Sequence, residues 1–173
     1  KRQKQNDIDT FALVLMSFPQ IKQIASSMGR RLSEEVFESV INSLEERLEA
    51  EVQSIIIEYA TNSFVAVEDF GSLVFACKTG ESYQSINDFV GHLLNQFNSA
   101  ISVAETSIQL DAYCGISIYP KHGDRADLLL QHASAARDYG LRTSERLSVY
   151  SSEIDTFGRR RLALIGALSQ AVK

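Results

Sequence analysis

Hydrophobic residues follow two patterns along the chain, short continuous runs and longer stretches at helical spacing. The first run, residues 11–18, is apolar apart from one serine and predicts a buried strand. Pro19 is a favourable first residue for a helix, and apolar residues then keep helical spacing until Gly29, a typical helix end. The chain is therefore predicted to open with a strand that leads directly into a short helix.

A second, longer helix is predicted to follow. Ser33 is an imperfect N-cap signal, and apolar residues recur at intervals of three and four from Val36 to Tyr59. Residues 55–57 are all isoleucine, and β-branched residues in a row fit the start of a strand equally well. The sequence therefore leaves open whether residues 55–57 continue this helix or begin a strand.

The middle of the chain has the pattern of a β-hairpin. Residues 64–67 and 73–77 are short apolar runs, and the turn between them spans residues 68–72. Gly71 gives that turn the backbone freedom it needs.

Helices and strands alternate in the second half. The predicted elements are a helix from Ile86 to Ile101, a strand from Ile108 to Tyr119 ended by Pro120, a helix at 126–139, a strand at 146–150 and a helix at 154–172. Alternation that includes a tight hairpin predicts a mixed α/β (α+β) fold. Its five strands should form a mostly antiparallel sheet with helices on its faces, and not a doubly wound parallel sheet.

Composition narrows the class of protein. The 173 residues, 45% of them hydrophobic, suit one domain, and the net charge of -5 argues against a surface built mainly to bind nucleic acid. No apolar run is long enough to cross a bilayer. We expect a cytoplasmic fragment of a longer polypeptide, either free or the cytoplasmic part of a membrane-anchored protein.

The residues that most often bind metals are scattered. Cys77 and Cys114 lie in strand-like apolar runs, where we expect reduced, buried thiols. His92, His122 and His132 fall in different elements without metal-ligand spacing, so we expect them to lie far apart as surface or half-buried histidines.

Three blocks carry a family resemblance. Cys-Gly-Ile-Ser-Ile-Tyr-Pro at 114–120, Leu-Leu-Gln-His-Ala-Ser-Ala-Ala at 129–136 and Arg-Leu-Ser-Val-Tyr at 146–150 are similar, in order and spacing, to the C-terminal part of GGDEF domains. GGDEF domains are the domains of bacterial diguanylate cyclases. The resemblance implies a nucleotidyl-cyclase-like palm fold over residues 10–151. Residues 1–9 would end an incoming linker or helix, and 152–173 resemble the connector helix that leads to an EAL phosphodiesterase domain.

The resemblance also implies where the site would lie. Diguanylate cyclases join two GTP molecules with the help of divalent metal held by carboxylates. Here the signature pentapeptide falls on Asp69, Phe70, Gly71, Ser72 and Leu73, and the metal positions on Ser17, Gly71 and Ser72. The guanine-binding positions fall on Ala25 and Ser26, the phosphate-binding lysine on Leu141, and the charged product-inhibition residues on Ala60 and Ser63. We therefore expect a degenerate, catalytically inactive domain without metal or cofactor, with weak GTP and magnesium binding left open.

Three functional hypotheses remain. The first is a regulatory domain of cyclic di-GMP signalling that acts on a neighbouring EAL domain or through a homodimer. The second is an adaptor resembling the degenerate GGDEF/EAL regulator of small-RNA decay, with Arg159, Arg160 and Arg161 touching RNA or a protein, although a charged connector face explains them too. The third is an active cyclase with metal on Glu68 and Asp69, disfavoured because adjacent strand residues point to opposite faces.

One family-like motif is misleading. Residues 86–92 read Ile-Asn-Asp-Phe-Val-Gly-His and copy the Ile-Asn-Asp-x-x-Gly-His motif of GGDEF domains. They follow the hairpin, whereas the family motif precedes it. We interpret the match as coincidence, with Asn87 and Asp88 as solvated residues in the first turn of a helix.

Overall fold

The computed structural model describes residues 10–51, 65–78, 83–97, 100–103 and 106–156. The described strands are β1 (Phe11–Ser17), β2 (Ala66–Asp69), β3 (Ser72–Lys78), β4 (Ile101–Val103), β5 (Thr106–Ile108), β6 (Tyr113–Tyr119) and β7 (Leu147–Val149). The described helices are α1 (Pro19–Met28), α2 (Arg30–Glu51), α3 (Tyr83–Gln96) and α4 (Ala126–Thr143). The predictions for residues 1–9, for the long helix beyond residue 51 and for the connector beyond residue 156 lie outside the described residues.

Five strands form one sheet in the order β2-β3-β1-β6-β7. β1 is antiparallel to both of its neighbours, β2 is antiparallel to β3, and β6 and β7 run parallel. This confirms the predicted mixed, mostly antiparallel sheet. The first apolar run of the sequence is its central strand, which explains why that run is almost continuously hydrophobic.

Successive residues of β1 serve the two faces of the sheet. Ala12, Val14 and Met16 join the main core, to which α1, α2 and α3 contribute their buried side chains. Leu15 points the other way and packs with Ala133 of α4. Helices therefore cover both faces, as the sequence predicted.

The start of α2 differs from the prediction. Gly29 ends α1 with a φ of 97°, and α2 begins at the next residue. Ser33 is therefore not an N-cap, and its hydroxyl instead donates to the Arg30 carbonyl at 2.7 Å. Arg30 pairs with Glu34 one turn later, which gives this exposed first turn a weak local support of about 0.3–0.5 kcal/mol.

The hairpin is shifted by two residues. β2 begins at Ala66, so Glu68 and Asp69, predicted in the turn, belong to the strand, and the turn is Phe70 and Gly71. All four residues of β2 are exposed at the edge of the sheet, where polar side chains are tolerated. Only Ala66 and Val67 of the apolar run that the prediction relied on fall in β2.

The segment around residue 108 was also predicted incorrectly. The predicted helix to Ile101 ends at Gln96, and Ile101 pairs with Ile108 in a separate two-stranded hairpin of β4 and β5. The predicted strand 108–119 is interrupted before β6. Gln20 of α1 holds the interruption in place, because its amide donates to the Asp111 carboxylate at 2.7 Å and accepts from the Asp111 backbone N–H at 3.2 Å.

The last described elements match the prediction closely. α4 covers the predicted helix 126–139 and extends to Thr143, and β7 lies within the predicted strand 146–150. Residues 152–156 are helical, where the connector helix was predicted to begin. In the part of the chain that the structure describes, no helix combines the length and hydrophobicity needed to span a bilayer.

Candidate functional site

The antiparallel pairing of β1 and β3 brings together two of the predicted metal positions. Ser17 at the end of β1 lies opposite Ser72 at the start of β3, and their hydroxyl oxygens are 2.9 Å apart. Both side chains are buried. Gly71 precedes Ser72 with a φ of 95°, and its carbonyl accepts a hydrogen bond from the Phe18 N–H at 2.8 Å. Serine hydroxyls and a glycine turn therefore stand where the resemblance implies metal ligands.

An arginine from α4 reaches this hydroxyl pair. Arg137 donates from Nη1 to the Ser17 hydroxyl and from Nη2 to the Ser134 hydroxyl, both at 3.0 Å. Its guanidinium also pairs with the Asp138 carboxylate at 2.7 Å, and only 15% of its side chain is exposed. Arg137 was not predicted from the sequence. The available signal was a cation four residues after the buried Ala133, on the side of α4 that faces the sheet.

An acidic residue, Asp69, lies on the other side of the hydroxyl pair. Asp69 forms an ion pair with Lys22 of α1 at 3.0 Å. Burial, the largest influence, would raise the pKa of Asp69, but hydrogen bonds from Ser72 and Lys22 and the charges of Lys22 and Arg137 together lower it. Either hydroxyl of the Ser17–Ser72 pair can donate to the other. The hydroxyl pair thus lies between the Arg137 cation, which donates to Ser17, and the Asp69 anion, whose pKa Ser72 helps to lower.

These groups line a cavity of about 220 Å³ at the end of the sheet. Of the remaining predicted positions, Phe70 and Leu141 also line it. Leu73 does not, because its side chain is fully buried in the main core. The cavity has two cations and two acids, paired as Lys22 with Asp69 and Arg137 with Asp138.

Ala25 and Ser26 line a neighbouring recess of about 570 Å³, together with Lys22, Arg30 and Phe70. The Ser26 hydroxyl donates to the Gln23 carbonyl within its own helix at 2.9 Å, and Arg30 is paired with Glu34. The positions expected to bind guanine thus carry the methyl group of Ala25 and the hydroxyl of Ser26, which already has a hydrogen-bond partner.

A family model described as the diguanylate cyclase GGDEF domain matches residues 1–140. This chain belongs to the GGDEF domain family. It is 26% identical to an uncharacterized protein, sll1895 of Synechocystis, over an alignment of 175 positions that covers 98% of this chain and 23% of that protein. The chain therefore spans about a quarter of the length of that relative.

Solved structures of GGDEF domains have the same fold. The GGDEF domain of TpbB, also called YfiN, from Pseudomonas aeruginosa aligns with a TM-score of 0.70 at 14% identity, over 87% of this chain and 83% of that one. An EAL/GGDEF domain protein from M. capsulatus aligns with a TM-score of 0.66 at 15% identity, over 86% and 90% of the two chains. These likenesses confirm the palm-type α+β fold predicted from the sequence.

The GGDEF cavity of this chain does not fit a divalent metal. Mg²⁺ is bound in proteins by oxygens that include carboxylates, and Ser17 and Ser72 offer only neutral hydroxyls. The two carboxylates that line the cavity already form ion pairs, Asp69 with Lys22 and Asp138 with Arg137. The Arg137 guanidinium would also repel an ion placed beside Ser17. Among the described residues, no three His, Cys, Asp or Glu side chains cluster as a metal site.

The histidines are arranged differently from the prediction. His122 and His132 were expected to lie far apart, but the His132 ring bonds the His122 carbonyl, and both rings contact Tyr150. His122 is buried and not merely half-buried, whereas His92 is exposed on α3. The turn before α4 brings these two histidines together, although they are ten positions apart in the sequence.

Several predicted residues play no part in this cavity. Asn87 and Asp88 lie in the second turn of α3, not its first, because α3 begins at Tyr83. Cys77 and Cys114 are free and buried, and burial raises the pKa of Cys77 to about 12 and also raises that of Cys114. Ala60, Ser63, Arg159, Arg160 and Arg161 lie outside the described residues.

Proposed function

We propose that this GGDEF domain is catalytically inactive and serves cyclic di-GMP signalling as a regulatory domain that modulates an adjoining EAL domain. The observation that carries the proposal is the hydroxyl pair of Ser17 and Ser72. Condensing two GTP molecules places several phosphate charges around one metal ion, and that ion needs anionic oxygens to hold it. The cavity supplies hydroxyls and a guanidinium at that point.

The recess beside the cavity supports the same conclusion. Guanine presents donors on its Watson–Crick edge, and a specific site must offer acceptors to them. Ala25 has no side-chain acceptor, and the Ser26 hydroxyl, whose hydrogen is donated to the Gln23 carbonyl, offers only one neutral oxygen as an acceptor. Each buried polar group left without a partner costs roughly 1–3 kcal/mol of binding free energy. Leu141 cannot replace a phosphate-binding lysine, since its side chain has no charge.

Two observations favour an EAL domain as the neighbour. Residues 152–156 continue the chain out of β7 as a helix, at the place where the sequence resembles a connector toward an EAL domain. The M. capsulatus protein of the same fold is an EAL/GGDEF domain protein. A homodimer formed through this domain is the alternative to direct action on the EAL domain.

The natural full-length protein tests the proposal. Cyclic di-GMP synthesis and hydrolysis are measured by mass spectrometry for that protein and for a variant lacking residues 10–151. We expect no synthesis from either, and hydrolysis that changes several-fold when the domain is removed. Equal hydrolysis by both proteins would contradict the regulatory role. RNA binding that weakens steeply with salt, in a protein without hydrolysis, would favour the adaptor instead.

A further inference from the structure

Arg137 is the least exposed charged group of the cavity, and its position has a consequence for metal binding. Its Nη1 lies 3.0 Å from the Ser17 hydroxyl, and 15% of its side chain is exposed. Asp138, its ion-pair partner, is considerably more open, with 46% of its side chain exposed. The guanidinium thus brings a fixed positive charge to the inner end of the cavity, directly beside Ser17 and Ser72.

We propose that Arg137 is the residue that excludes divalent cations from this cavity, so that returning carboxylates to positions 17 and 72 does not by itself create a metal site. The inference deepens the proposed function and rests on its assignment of Ser17 and Ser72 to the metal positions. It adds that the loss of metal binding has two causes, missing anions and an added cation.

Charge, and not space, decides this exclusion. A water molecule takes about 30 Å³ of liquid volume, so a cavity of about 220 Å³ has room for an ion with several waters. A carboxylate at position 17 would meet the guanidinium at hydrogen-bond distance, and charge-assisted pairs of this kind are among the strongest hydrogen bonds in proteins. The new anion would be neutralised by Arg137 before any metal arrived.

Removing Arg137 as well would reverse the balance of charge around positions 17 and 72. Two carboxylates at positions 17 and 72 carry the charge that matches one divalent ion, and the cation that remains in the cavity, Lys22, is paired with Asp69. Ser17 and Ser72 face each other across β1 and β3, so side chains at both positions can converge on one ion. Arg137→Met keeps the length of the apolar stem while removing the charge.

Manganese binding to the full chain tests the proposal. The loss of the electron paramagnetic resonance signal of free Mn²⁺ is measured for S17D/S72E and for S17D/S72E/R137M, and circular dichroism checks that each is folded. We expect the triple variant to bind Mn²⁺ at least about tenfold more tightly than the double variant, because like charges repel strongly at this distance. The control S17D/S72E/R142M removes an exposed arginine from the same helix and should bind like the double variant.

Three results would overturn the inference. These are equal Mn²⁺ affinity of the double and triple variants, an affinity of the Arg142 control that equals that of the triple variant, and no binding by a folded triple variant. None of these measurements uses GTP. Cyclase activity in the unaltered protein would contradict the proposed function, and these results would not.

A thermal-stability cycle keeps the inference testable where the triple variant does not fold. Ser17→Asp is introduced with Arg137 present and again beside Arg137→Met, and the melting temperatures of the four proteins are compared. We expect the Ser17→Asp substitution to be tolerated only with Arg137, since a carboxylate buried without a cation is strongly destabilising. The same decrease in melting temperature in both backgrounds would show that Arg137 does not neutralise the site.

Discussion

At the level of single residues, the pKa of His122 shows the effect of burial outside the cavity. Its Nδ1 accepts a hydrogen bond from the Ile118 N–H at 3.1 Å, so the ring must be unprotonated at that nitrogen. Burial, followed by the positive charges of Lys121 and His132, lowers the pKa of His122. The folded protein therefore favours the neutral ring.

This lowered pKa predicts a loss of stability in mild acid. The unfolded chain takes up a proton near pH 6.5, whereas folded His122 does so only at lower pH. The stabilisation is therefore complete above about pH 6.5 and is lost as the pH falls through the folded pKa. Melting temperatures at pH 7.5 and 5 should differ more for the natural chain than for His122→Asn, whose side-chain oxygen can still accept from Ile118. Equal differences would contradict this account.

The cavity contains residues whose position was predicted from the sequence and one, Arg137, whose position was not. The family resemblance placed Ser17, Gly71 and Ser72 at one site, and the structure brings them together. Arg137 was missed because it lies 120 positions from Ser17, and no local pattern links the two. A charged residue in a helix normally indicates a solvated face. Only the packing of α4 on the sheet shows that this one points inward.

At the scale of elements, the approach of α4 to the sheet depends on Gly115. A Cβ atom on this residue of β6 would lie 1.9 Å from the Ala133 carbonyl oxygen and 2.4 Å from the Arg137 backbone nitrogen, both in α4. Backbone atoms cannot move aside as a flexible side chain can. The helix that carries Arg137 is thus seated against the strand at a position where only hydrogen fits.

Gly115→Ala should push α4 away from the sheet. We expect it to lower the free energy of unfolding by about 3 kcal/mol, at the upper end of the usual cost of overpacking, as measured by urea denaturation. Gly91→Ala is the matched control, since a Cβ there meets nothing within 4 Å and alanine favours a helix by roughly 0.5–1 kcal/mol. A Gly115→Ala protein as stable as the natural chain would show that the contact is not tight.

The sequence predicted long elements better than short ones. β1, β3, α1 and α4 have apolar patterns that extend over several residues, and each was found close to its predicted position. β4 and β5 have three residues each, which is too few for a period to emerge, whereas the equally short β7 lies in the family-like block at 146–150. β2 is exposed along its length, so its position depends on pairing with β3 and not on hydrophobicity.

At the scale of the whole molecule, the fold was predictable because separate blocks of sequence agreed with one topology. A hairpin between helices required a mixed sheet, and the resemblance after residue 114 indicated the same arrangement. The structure confirms that sheet and its helices on both faces. The charge balance of the cavity was not predictable, since it arises where α1, β1, the β2–β3 turn and α4 meet.

We propose that this GGDEF domain cannot condense GTP, and a forced dimer gives the clearest test of that proposal. Two copies should face each other for the reaction, so residues 10–173 are fused to a dimeric coiled coil and incubated with GTP and Mg²⁺ or Mn²⁺. An active GGDEF domain in the same fusion serves as the control. We predict cyclic di-GMP from the control alone, measured by mass spectrometry over many hours. Cyclic di-GMP formed by the fusion of this chain would contradict the account.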